Sequence, residues 1–157
     1  MSKFKQLRKF NISDRTARVE LPEIGEGAAL IVKSTSQFNK DYFNAMMKAG
    51  GKEARKRVKP EDLTLAEVKR DRRKHVKLFE EHVIEGWENV VDEDGKPVEF
   101  NSENLRELME TILEDAPHLF DRVRDVADDN SEFYADDELP PDAEELAGNS
   151  QSGSSGS

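Results

Sequence analysis

The chain contains no cysteine, which removes disulfide frameworks, thiolate metal sites and cysteine nucleophiles together. It holds no apolar run near the roughly 18–20 residues that cross a bilayer. Its start, MSKFKQLRKF, has no continuous apolar signal core. These absences set the expectation of a soluble, intracellular protein. The catalytic motifs GxSxG, HExxH and the Walker phosphate loop are missing as well. There are only three histidines, and His75 and His82 stand seven residues apart, too far for shared zinc binding without other ligands. Carboxylates abound, but none has the apolar surround that would lift its pKa for acid–base work. The sequence therefore predicts a protein that is not an enzyme and takes no metal and no cofactor.

What is present is charge. Apolar residues make up 35% of the 157 residues and charged residues 37%, which fits one domain, small or helical, with wide solvated faces. The net charge of −10 is unevenly laid out. Lys3, Lys5, Arg8 and Lys9 make the N-terminus basic, and Lys52 to Lys77 is rich in Lys and Arg. After Arg124 no basic residue follows, while Asp136, Asp137, Glu138, Asp142, Glu144 and Glu145 lead into a Gly/Ser-rich end. Such composition predicts a disordered acidic tail.

Along the chain, Ala17–Leu21 and Ala28–Lys33 read as two strands joined through Pro22 and Gly25-Glu26-Gly27, a hairpin. That GxG lacks the third glycine and the following helix of a phosphate loop. A short helix is expected from a Ser34–Ser36 cap to Ala49, where Phe38, Tyr42, Phe43, Met46 and Met47 form an apolar stripe ended by Gly50-Gly51. A basic connector, 52–60, leads to a long helix whose Thr64 and Glu67 have capping-box spacing. Leu65, Val68, Val76, Phe79 and Val83 make its apolar face, interrupted by Arg72. Basic residues crowd its first half and Glu80, Glu81 and Glu85 its end, against the helix dipole. Either this is a solvated face, or Arg70, Arg73 and Lys77 dock an acidic partner or the acidic tail of another copy.

The stretch GWENVVDEDGKPVEFNSENL, 86–105, resembles a calcium loop at first sight. Started at Asp92, such a loop needs an oxygen ligand at its fifth position and glycine at its sixth. Lys96 and Pro97 stand there instead, so the metal reading fails. The alternative is a turn at Asp94-Gly95 between short strands, Trp87–Val91 and Val98–Phe100, with Gly86 closing the long helix. Asn101 or Ser102 then caps a helix that buries Leu105, Leu108, Met109, Ile112 and Leu113. Pro117 starts a last helix with Leu119, Phe120, Val123, Val126 and Ala127, and Phe133 and Tyr134 pack back. The fold class expected is mainly α with small β-hairpins (α+β). Residues 1–15 are expected as a basic flexible N-terminus and 16–135 as a single helical domain with hairpins at about 17–33 and 87–100. The disordered tail is expected over 136–157.

The run VIEGWENVVDEDGKPVEFNSENLRELMETILEDAPHLFDRVRDVADDNSEFY resembles the tail assembly chaperones of long-tailed bacteriophages, in its helix, acidic Asp-Gly turn, return strand and two closing helices. The resemblance implies a non-enzymatic helical protein that binds the tape measure protein, keeps it soluble and promotes tail tube polymerisation around it. It also implies contact with the tail tube protein, self-association into oligomers, and a place in the host cell cytoplasm but not in the mature virion. Phe43, Met46, Met47, Phe79, Trp87, Phe100 and Met109 are candidates for partner contact or plain core. Two alternatives stand beside it: a structural tail or head–tail joining protein, and a nucleic-acid-binding regulator using KEARKRVK and KRDRRKHVK. The acidic balance and the lack of aromatics in those basic runs speak against the last.

Overall fold

In the computed structural model, which describes residues 3–50 and 64–135, two short strands open the sheet. Ala17–Glu20 (β1) points Ala17 and Val19 inward and Arg18 and Glu20 outward. Ala29–Val32 (β2) is apolar at every position, as suits a strand paired on both sides. A third strand, Ile84–Glu88 (β3), pairs antiparallel with β2, giving the order β1-β2-β3. The hairpin read at 17–33 is thus present and is extended by one strand.

β3 corrects the sequence reading. Gly86 does not close the long helix; it sits mid-strand opposite Ile31, and the helix stops at His82. A lone hairpin is marginal in water, and Ile84–Glu88 covers the edge of β2 that β1 leaves unpaired. Lys33 donates to the Val83 carbonyl at 2.8 Å, tying helix end to sheet. Of the hairpin expected at 87–100, only one bridge, Val91 to Pro97, remains beyond β3. Asn89, with φ of 54°, turns the chain out of the strand. The expected bend is there: Gly95 takes φ of 79°, and Asp92 Oδ1 accepts the backbone amides of Asp94 and Lys96, both at 2.9 Å. The Gly25–Gly27 turn backs onto this segment so closely that a Cβ on Gly25 would lie 2.9 Å from Val91 Cγ2.

Four α-helices are described. Lys40–Lys48 (α1) is capped by Asn39, which accepts from the Tyr42 amide at 3.2 Å and donates to the His82 carbonyl at 2.8 Å. The cap expected at Ser34–Ser36 is instead a local turn, with Ser34 Oγ accepting from the Ser36 amide at 2.9 Å. Leu65–His82 (α2) carries the predicted Thr64–Glu67 capping box. Ser102–Asp115 (α3) starts at the Asn101 cap, and Pro117–Ala127 (α4) begins on its proline. Short 3-10 helices, Lys5–Phe10 and Asn130–Phe133, flank the body. The N-terminal arm packs in part, since Ile12 is 1% exposed.

Helix α2 is central, packing on α1, α3 and β3, while α4 lies on α3 and β1. Phe79 on α2 meets Tyr42 and Phe120 edge-to-face, with centroids 6.0 and 5.3 Å away. Leu65, expected on the apolar face, is 67% exposed because α2 begins beyond the reach of the core. The basic connector at 52–60 and the tail at 136–157 lie outside the described residues.

Candidate partner-binding site

Between α2 and α3 runs an open groove of about 790 Å³. The two helices supply its floor from their apolar stripes: Val76, Leu105 and Leu113. Charges rise on both walls because each stripe is narrower than the helix surface. Arg73, Lys77, Glu80 and Glu81 stand on α2, and Arg106, Glu110 and Glu114 on α3. Burial between these walls pushes the Glu80 carboxyl above its ordinary value, with Glu110 and Glu81 adding to the shift and Arg106 and Lys77 opposing it. The floor is narrow, since Val76 and Leu105 are buried and only Leu113 is half-buried, and it is flanked by both signs of charge.

A second hollow, of about 380 Å³, lies at the far end of the sheet against Trp87, Val91, Pro97, Val98 and Phe100. Trp87 and Phe100 pack edge-to-face at 5.0 Å, and Trp87 Nε1 donates to the Val98 carbonyl at 2.9 Å. The indole is thus used to hold the turn against β3.

The sequence candidates separate by burial. Met46, Phe79 and Met109 are 2%, 1% and 0% exposed and pack in the core, the second of the two places expected for them. Apolar stripes at helical spacing face the core first, and only their margins meet solvent. Met47 is that margin on α1, half exposed, with Phe43 half-buried beside it. Arg73 and Lys77 line the groove, whereas Arg70 is exposed on α2 outside it. Trp87 and Phe100 are half-buried in the second hollow. Among the described residues no three His, Asp or Glu side chains stand together as a metal group, and no helix is long and apolar enough to cross a membrane.

Two features escaped the sequence reading. One is the α3 wall, where Arg106, Glu110 and Glu114 repeat at four-residue spacing beside Leu105 and Leu113. The other is a charged cluster locking α2 to α4. Arg72 and Arg124 both bind Asp121, at 2.9 and 2.8 Å, and Arg124 also reaches Asp71 at 3.4 Å and lies 3.3 Å from His75 Nδ1. Burial alone raises the Asp121 pKa, but the hydrogen bonds from Arg72 and Arg124 outweigh it and hold the carboxyl below its usual value. Arg124 is 5% exposed, lies 4.9 Å over the Phe120 ring, and keeps Nε without a hydrogen-bond partner. The interruption at Arg72 and the arginine inside the Val123–Ala127 stripe were the signals available.

The family model described as YdaY prophage protein matches residues 36–143, which is more than half of the chain and spans α1, the groove and the charged cluster. No curated protein and no solved structure matches.

Proposed function

Because the chain belongs to the YdaY prophage protein family and is phage-derived, we propose that it is a phage tail assembly chaperone, acting by binding and without catalysis. It holds the tape measure protein soluble and promotes tail tube polymerisation around it, in the host cytoplasm and outside the finished virion. The observation that carries this reading is the α2–α3 groove, with Val76, Leu105 and Leu113 below and charged walls above. Its occupant is an amphipathic helix of the partner, with an apolar stripe against the floor and both signs of charge along its margins. A long helical chain awaiting assembly exposes such stripes, and covering them suppresses its aggregation.

Coexpression with the tape measure chain tests it. The parent protein retains that chain in the soluble fraction, and Leu113→Asp or the pair Arg73→Glu and Lys77→Glu releases it while the fold persists. Met46→Asp is not a usable probe, since Met46 is buried and an aspartate there would set an unpaired charge in the core. Undiminished capture by both groove variants refutes the docking. Mass spectrometry of purified particles separates this from a structural tail or head–tail joining protein, because only the latter is present in stoichiometric amount.

A further inference from the structure

The segment Lys3–Phe10, a short helix over Lys5–Phe10 with Phe4 at its N-cap, presents Phe4 and Leu7, 62% and 56% exposed, among Lys3, Lys5, Arg8 and Lys9. No acidic residue interrupts this strip. It combines two apolar side chains with four cations, a surface made for an acidic segment that also carries apolar groups. Such a segment leaves the body beside it. The Tyr134 ring meets Phe10 edge-on at 5.2 Å, and Arg15 donates to the Phe133 carbonyl at 3.4 Å. Past Ala135 the next ten residues hold six carboxylates and no cation, with Leu139 among them and Leu146 just beyond.

We infer that residues 136–146, which lie outside the described residues, dock on the Lys3–Phe10 strip of the same chain. The reach is sufficient. Six residues of 3-10 helix extend about 12 Å, and an extended chain covers about 3.3 Å per residue, so four or five residues past Ala135 span the strip. Tethering beside Phe10 raises the local concentration to the millimolar range, so weak pairing suffices. Docking sets the carboxylates against Lys3, Lys5, Arg8 and Lys9 and brings leucines over Phe4 and Leu7. It also closes the strip to other anions, nucleic acid included, unless they displace the acidic segment. The inference is independent of the α2–α3 groove.

The full chain is compared with a variant in which Asp136, Asp137 and Asp142 become Asn and Glu138, Glu144 and Glu145 become Gln. At about 10 mM salt, where charges act over about 30 Å, tryptic cleavage at Lys5, Arg8 and Lys9 is expected about fivefold slower in the parent, since cleavage tracks the undocked population. At about 1 M salt, with screening over about 3 Å, the difference closes. Carbodiimide crosslinking of a mixed light and heavy isotopic sample is expected to join Lys3, Lys5 or Lys9 to the acidic residues within single chains. Equal cleavage rates at low salt overturn the inference. Crosslinks found only between light and heavy chains also overturn it, and give the strip to a second copy instead.

Discussion

Replacing Asp121 with Asn leaves the shape of the α2–α4 lock nearly unchanged and removes its central charge. Asp121 accepts from Arg72 through Nε at 3.3 Å and Nη2 at 2.9 Å, and from Arg124 at 2.8 Å. Stripping one partner from a fully buried ion pair costs about 3–5 kcal/mol, whereas an exposed pair contributes about 0–1. Here the Arg124, Arg72 and Asp121 side chains are 7%, 20% and 31% exposed, so an intermediate loss of about 2–3 kcal/mol follows. Against a total stability of about 5–15 kcal/mol this is large, and it moves a urea midpoint by about 1–2 M. Trp87, the only tryptophan, reports the transition by fluorescence. The folded carboxyl titrates below its unfolded value of about 3.9, so its stabilisation is complete above that value and is lost as pH falls through the folded value. The deficit of Asp121→Asn is therefore full at pH 7 and shrinks below about pH 4. A loss under about 0.5 kcal/mol at pH 7, or a deficit that does not shrink in acid, refutes the account of the cluster.

Phe79→Ala is expected to cost about 3–5 kcal/mol in chemical denaturation, because it empties a core site and breaks two edge-to-face contacts. Gly25→Ala drives a methyl into Val91 and costs about 1–3 kcal/mol, visible as a lower melting temperature. Arg122 chelates Glu23 at 2.9 and 2.8 Å and holds its carboxyl at about 2. Arg122→Gln should return that carboxyl toward the ordinary value of about 4.3 in an NMR titration.

Helix existence was legible wherever a stripe, a cap and a breaker agreed: Thr64–Glu67 fixed the start of α2, and Pro117 the start of α4. The sheet was legible only in half. A hairpin is a local pattern, but β3 is chosen by the free edge of β2, more than fifty residues away in sequence, and no window around Gly86 contains that partner. Glycine after a helix stripe normally signals a stop, so the long-range pairing overrode a sound local rule. The groove was half legible for a related reason. Arg73 and Lys77 drew notice as a charge excess, but the opposing wall, Arg106, Glu110 and Glu114, reads in sequence as an ordinary solvated face. For the methionines and aromatics the sequence left core and contact both open, and burial separates them, since the strongest part of a stripe is the part the core takes.

The charge order of α2 then has a physical account. Its first turn contains Glu67 and no cation, so the favourable end of the dipole is occupied and the basic run starts one turn later, where the dipole has faded. Arg72 in that run is neutralised across the helix–helix seam by Asp121. Arg73 and Lys77 project into the groove. Glu80 and Glu81, unfavourable near a C-terminus, stand on the same groove wall, where Arg106 lowers the cost for Glu80. The order that looks wrong for an isolated helix is therefore the order that two neighbours impose. One neighbour, α4, is part of this chain. The other is α3, which faces α2 across the groove and sets Arg106 near Glu80.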